Sequence, residues 1–347
     1  MHSFKKIISV VGIIAMLLVI LLMMDYILYP CTFMRNDIHA VSSNTYNDVY
    51  VGTSHGKMNI DPETIKTITG RSGHNLCVGG EYPVDVLYMV KLMVETGHKP
   101  DRIVYEISPG YFVREKEVGN NYLLFFHEFP MTVAKLSYFW DAVLKCDFRT
   151  LFFPWYEYEL SYELSHAKET IKKKSAKDYS ADGFATDSQM YHESGFIERY
   201  PVDITDSEGN LLKDDLADEA LAGKSLVEEG LIEEGEIEEW FPEDIVDENM
   251  ENLKKIIDFC KENDIEFVAI TTPLSDVVLN ECEEGNSALN DYYSDFFKEE
   301  NVDYINFNYD KYYDMSEHGI ENFTDLDGHM NGDAARSFSA ILAEVLE

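Results

Sequence analysis

DVYVGTSHG, residues 48–56, runs from an apolar stretch into a glycine and then a serine. Asp48 to Gly52 reads as a short buried strand closed by a glycine turn. A serine just past the carboxyl end of a strand stands where open α/β sheets bind their ligands. The turn lifts the Ser54 hydroxyl clear of the sheet, and the backbone N–H groups around it are placed to face an oxyanion. Ser54 is therefore the first candidate for chemistry.

Working outward, strands and helices alternate. Asp61-Pro62-Glu63-Thr64 has the N-cap and first-position proline of a helix start. Asn75–Val78 is a second short apolar run before Gly79-Gly80. Pro83–Thr96 carries apolar residues at helical spacing, and Arg102–Ile107 is a third strand. The alternation resumes with a helix over Asn249–Glu262 and a strand over Glu266–Thr271. A helix over Ala288–Glu299, a strand over Tyr304–Phe307 and a helix over Gly332–Leu346 complete it. This pattern predicts an α/β domain over 47–110 and 246–347, with a three-layer, flavodoxin-like parallel sheet between helices. Residues 111–245 break the pattern. They are rich in aromatics (Tyr122, Phe125, Phe126, Tyr138, Phe139, Trp140, Phe152, Phe153, Trp155, Tyr156, Tyr158). They also hold a basic patch at Lys172-Lys173-Lys174 and an acidic stretch over 228–240. They read as a helical insertion that caps the sheet.

The ends and the charge narrow the setting. Ile7–Met24 is an uncharged apolar run just long enough to span hydrocarbon, with Lys5 and Lys6 before it and Asp25 after it. The positive-inside rule leaves residues 1–6 in the cytoplasm, 7–24 as a signal anchor in the plasma membrane and the rest outside. No small-residue cleavage site follows, so the segment reads as a single uncleaved span. Residues 25–46 read as a stalk. The formal net charge of −37 repels phosphate backbones, which argues against nucleic-acid binding. Five cysteines without C-x-x-C spacing indicate neither a disulfide framework nor a zinc site.

A second constellation precedes the last helix: Asp325-Leu326-Asp327-Gly328-His329-Met330-Asn331. A serine needs a base to take its proton, and the base needs a carboxylate to fix its tautomer. His329 supplies the base, and Asp325 or Asp327 the carboxylate. A D-x-D start also suggests a calcium loop, but Met330 stands where that loop needs glycine, so no metal is expected. No cofactor is expected either. Gly52–Gly56 matches the G-x-S-x-G elbow of α/β-hydrolases. That elbow opens a helix at once, whereas here the clear helix start waits until Asp61, and the acid and histidine share one loop. His55 reads as a residue that shapes the pocket. His74, His127, His166 and His192 have no partner by spacing.

VGTSHG at 51–56, NLCVGGEYPVD at 75–85, RIVYEIS at 102–108, AITTP at 269–273 and DLDGHMNGDAARSFS at 325–339 together resemble the SGNH/GDSL hydrolase superfamily. More closely, the chain is similar to anchored members of surface-polymer acylation systems, of the teichoic acid D-alanylation and alginate acetylation type. The resemblance implies Ser54 as nucleophile and His329 as general base. It implies an oxyanion hole from Gly79 or Gly80 together with the Ser54 N–H. The chain departs from the family's Asp-x-x-His, because position 326 is leucine. Asp325 is favoured, since the loop has room to bulge at Gly328. No glycine-x-asparagine block supplies a further oxyanion donor. The implied function is acyl transfer, most readily acetyl, to a cell-surface polysaccharide or teichoic-acid-like acceptor. A membrane-embedded acyltransferase partner would deliver the acyl group. An anchored esterase and a non-catalytic surface-polymer binding or assembly subunit are the alternatives.

Overall fold

A computed structural model describes residues 2–28, 32–116, 126–147, 164–175, 184–202 and 237–347. Its strands are β1 (Asp48–Val51), β2 (Gly73–Asn75), β3 (Arg102–Glu106), β4 (Gln189–Tyr191), β5 (Ile197–Arg199), β6 (Glu266–Thr271) and β7 (Asp303–Asn306). Five of them form a parallel sheet in the order β2-β1-β3-β6-β7. Val49 pairs with His74 on one side and with Ile103 on the other. Tyr105 pairs with Ala269, and Ala269 with Tyr304.

Side chains along a strand alternate between faces, and here both faces are covered. Val49, Val51, Ile103, Tyr105, Phe267 and Ala269 enter one core, with the helices Pro83–Glu95, Asp247–Glu262 and Glu283–Glu300. Tyr50, Val104, Val268, Ile270 and Ile305 enter the other, with Pro62–Thr69 and Gly332–Leu346. Burial on both faces is why these strands read as apolar runs rather than alternating ones. Strand order reverses at β1, which has β2 on one side and β3 on the other. A crevice therefore opens beyond its carboxyl end, where Ser54 lies.

Two expectations need correction. Residues 25–46 are not all stalk. Met34–Ser43 is a helix that buries Met34, Ile38 and Val41 in the first core. Each such burial is worth about 1.5–3 kcal/mol, which welds this segment to the domain. Its Asp37 is fully buried. The insertion, in turn, is not all helical. Val133–Tyr138 and Leu164–Lys174 are helices, but β4 and β5 form an antiparallel hairpin. Its turn places Gly195 at φ +86, where a Cβ would lie 2.0 Å from the Asn75 carbonyl oxygen. Only glycine fits there. Asn75 N donates to Ser194 O at 2.8 Å, so the hairpin docks beside β2.

His2–Leu28 is one helix, and its Lys6–Met24 portion is long and apolar enough to cross a membrane. Leu164–Lys174, which carries the basic patch, lies against it, with Tyr26 Oη 3.4 Å from Ser175 Oγ. Tyr122, Phe125, Phe152, Phe153, Trp155, Tyr156, Tyr158 and residues 228–236 of the acidic stretch lie outside the described residues.

Candidate active site

Ser54 is the first residue of a helix, Ser54–Asn59, capped by the Thr53 hydroxyl, which accepts from His55 N at 3.3 Å. This corrects the expectation that the helix start after the serine waits until Asp61. Ser-His-Gly-Lys-Met-Asn has no apolar period, so tertiary partners hold this helix rather than propensity. Behind the turn, Glu106 Oε2 accepts from both Thr53 N and Thr53 Oγ1 at 2.8 Å.

His329 reaches Ser54 from the loop before the last helix. Its Nε2 lies 2.8 Å from Ser54 Oγ, and its Nδ1 lies 2.8 Å from Asp325 Oδ2. The carboxylate on the histidine is Asp325, while Asp327 is exposed on the cavity rim. Gly328 at φ +101 makes the extra residue fit, since the loop turns through a conformation that L side chains rarely adopt. Asp325 Oδ1 then accepts from Asp327 N and His329 N, both at 3.2 Å, which folds the loop around the carboxylate.

Asn59, at the far end of the Ser54 helix, fastens the two parts together. It is fully buried. Its Nδ2 donates to Gly328 O at 3.0 Å and its Oδ1 accepts from Met330 N at 2.9 Å, on either side of His329. Arg199 of β5 donates to Asp325 Oδ2 at 2.6 Å. Neither residue is found by reading the sequence for motifs. Asn59 looks like an ordinary helix-end asparagine, and Arg199 sits in the insertion, 126 positions from Asp325.

Electrostatics follow from this packing. Burial alone pushes the Asp325 carboxyl up. The His329 hydrogen bonds and the Arg199 charge outweigh it and hold Asp325 down at about 2. Burial, with His329 adding to it, pushes His55 down to about 3. His55 is thus a neutral ring, packed edge-on against His329 with centroids 5.0 Å apart, as expected of a pocket-shaping residue.

The expected oxyanion glycines divide. Gly79 abuts Ser54, since a Cβ built on it would lie 3.5 Å from Ser54 Cβ. The Gly80 N–H faces the Tyr111 hydroxyl instead. A cavity of about 320 Å³ opens over the serine, with Ser108, Tyr111, Trp240 and Asn286 in its walls. Ile237–Trp240, from the end of the insertion, forms one wall. Arg114 pairs with Glu238 and stacks over Trp240 at 5.6 Å, and Gly285 N donates to Glu239 Oε1 at 2.8 Å.

Asp325, Asp327 and His329 place potential metal-ligand atoms within 4.8 Å of one another. His329 already commits one ring nitrogen to Asp325 and the other to Ser54, so its donor set fits a proton relay better than an ion. Of the remaining histidines, His74 contacts Asp37 at 3.1 Å and His192 contacts Glu198 at 2.8 Å, pairings that sequence spacing did not show.

Glu81 lies behind the same turn, almost fully buried, with Oε2 accepting from Gly52 N at 3.4 Å and Oε1 without a partner among the described residues. Burial, aided by nearby Asp85, raises its carboxyl well above the ordinary glutamate range. The folded chain then holds a proton that the unfolded chain releases, so stability falls as pH climbs from the ordinary glutamate range through the folded value. Glu81→Gln has no proton to release. It is expected to raise the thermal midpoint at pH 8 more than at pH 5. Parallel pH dependence of the two proteins in thermal melts would show that Glu81 is ionised in the fold.

No protein-family model matches the chain, and no curated protein does either.

Proposed function

We propose that this chain is a membrane-anchored, extracytoplasmic serine acyltransferase of the SGNH type. In this reading it acylates, most readily with acetyl, the hydroxyls of a cell-surface or secreted polysaccharide through a Ser54 acyl-enzyme. The observation that carries the reading is the unbroken relay Ser54–His329–Asp325, with 2.8 Å at both steps, at the mouth of a cavity. The sheet order, with the insertion hairpin set aside, is the flavodoxin-like 2-1-3-4-5, which supports the SGNH assignment. The apolar helix Lys6–Met24, with Lys5 and Lys6 on its amino side, supports a single-pass anchor with the domain outside.

His329 Nε2 takes the Ser54 proton as Oγ bonds to the acyl carbon. The oxyanion rests against the Ser54 N–H, on the side where Gly79 leaves room beside Ser54. His329 then returns the proton to the departing donor group, and the acyl ester on Ser54 remains. In the second half His329 takes a proton from the sugar hydroxyl. That oxygen bonds to the acyl carbon, and Ser54 leaves with the proton. Asp325 keeps the Nδ1–H tautomer and steadies the imidazolium. A membrane-embedded acyltransferase partner supplies the acyl group from the bilayer side. The departure from Asp-x-x-His spacing weighs little against catalysis, because Gly328 brings Asp325 onto His329.

The test uses the full chain in detergent with an activated acetyl ester, followed by intact mass and ester turnover. Wild type is expected to gain one acetyl group or turn the ester over, and Ser54→Ala to do neither. Identical behaviour of the two would remove the nucleophile. Added oligosaccharides separate transfer from hydrolysis. Acetyl on the sugar supports the transferase, and unchanged release to water supports the anchored esterase.

A further inference from the structure

Asp325 Oδ2 accepts two donors at once, His329 Nδ1 at 2.8 Å and Arg199 Nη1 at 2.6 Å. The second comes from outside the α/β domain. Arg199 ends β5, the return strand of the insertion hairpin. Other contacts fix that hairpin near Arg199. Glu198 pairs with Arg336 Nη2 at 2.6 Å and with His192 at 2.8 Å, and Tyr191 donates to Asp37 at 2.6 Å. A guanidinium held this way is a built part of the relay rather than a loose surface charge.

We infer that Arg199 is a positioning residue for the relay: the insertion lends the α/β domain a cation that fixes the Asp325 rotamer and sets how strongly Asp325 draws on His329. This rests on the acyl-transfer reading of Ser54. Two donors on one oxygen share its electron density, so the imidazolium gains less from Asp325 than it would from an unshared carboxylate. The guanidinium charge on the same oxygen also opposes a second cation on the ring, so removing Arg199 favours the imidazolium. The other groups facing His329 are Asp327 on its own loop, His55 on the Ser54 helix and Glu106 on β3. Among the described residues, Arg199 is the only permanent cation hydrogen-bonded to the relay.

The experiment compares wild type, Arg199→Gln and Arg199→Lys as full chains in detergent. It reads the pH profile of Ser54-dependent ester turnover and, by NMR on ¹⁵N-histidine-labelled protein, the titration midpoint of the His329 ring, with His329→Gln to assign the signal. In Arg199→Gln the acid limb and the ring midpoint are both expected to move up by on the order of one pH unit. Arg199→Lys keeps the charge and returns both toward wild type, with a lower kcat because the planar fork is lost. A merely structural Arg199 would lower the amplitude and leave the limb in place. An unmoved limb with an unmoved ring midpoint overturns the inference, as does a lysine variant indistinguishable from glutamine. A ring midpoint that moves in a chain with no Ser54-dependent turnover keeps Arg199 as the residue that tunes His329 and removes the acyl-transfer reading.

Discussion

Asp325→Asn is expected to lower turnover by about 10⁴-fold, the scale seen when a triad carboxylate becomes an amide. Asp327→Asn is expected to stay within about twofold of wild type, as for an ordinary surface change. The geometry gives the reason. Asp325 serves four donors: Asp327 N and His329 N on Oδ1, and His329 Nδ1 and Arg199 on Oδ2. An asparagine has one acceptor oxygen and one NH₂. The two backbone donors cannot rotate away, so the amide oxygen turns to them and the NH₂ faces His329. The ring then accepts at Nδ1 and carries its proton on Nε2, the nitrogen that must receive the Ser54 proton. The base is present but in the wrong tautomer. Arg199, facing the same NH₂, has to swing out. Steady-state kinetics of the two variants with an activated ester decides the matter. Equal losses in both, or a larger loss in Asp327→Asn, would place the orienting carboxylate on Asp327. Because Asp325 is held down at about 2, its contribution to stability is present above the ordinary aspartate range and lost only as pH falls toward that value. The Asp325 carboxylate is therefore expected to stay ionised in mild acid.

Much of the sheet was legible because parallel strands buried on both faces are short apolar runs. Val-Tyr-Val in β1, Ile-Val-Tyr in β3 and Phe-Val-Ala-Ile in β6 stand out for that reason. Strand β2 was displaced. The apolar run Asn75–Val78 begins only on the last of the paired residues Gly73–Asn75, whose small and polar side chains gave no signal. The hairpin was missed because it is three residues on each side, and its burial depends on docking beside β2. Ser54 and His329 stand out in the sequence because acyl-transfer chemistry needs those residue types next to turns. Asn59 and Arg199 do not, since a hydrogen bond across 271 or 126 positions leaves no trace in local spacing. Lys57 is the clearest case. A lysine in Ser-His-Gly-Lys-Met-Asn reads as solvated, yet it is 1% exposed.

That buried lysine carries the largest stability effect expected in the chain. Lys57 Nζ donates to Asp37 Oδ2 at 2.7 Å and to Asn75 O at 3.0 Å, with the Phe33 ring 5.1 Å away. Asp37 Oδ1 is taken by His74 and the Tyr191 hydroxyl, at 3.1 and 2.6 Å. One buried carboxylate thus ties the helix Met34–Ser43, the Ser54 helix, β2 and the insertion hairpin together. Burial pushes Asp37 up, but Lys57 and His74 outweigh it and leave it below the ordinary range. Lys57→Met keeps the packing volume and strands a buried anion, and it is expected to cost about 3–5 kcal/mol in urea unfolding. Adding Asp37→Asn should return most of that loss, since a buried pair replaced on both sides is often neutral. The pH dependence separates charge from packing. Asp37 contributes above the ordinary aspartate range, and the contribution fades as pH falls through its lowered value. The gap between wild type and Lys57→Met should therefore be widest near neutral pH and narrow on acidification, because a protonated Asp37 no longer needs the lysine. A gap that stays constant with pH, or a double variant no better than the single one, would mean that Lys57 acts through its methylene packing and not as the counter-charge of Asp37. In that case the lysine would hold the Ser54 helix by shape rather than by charge.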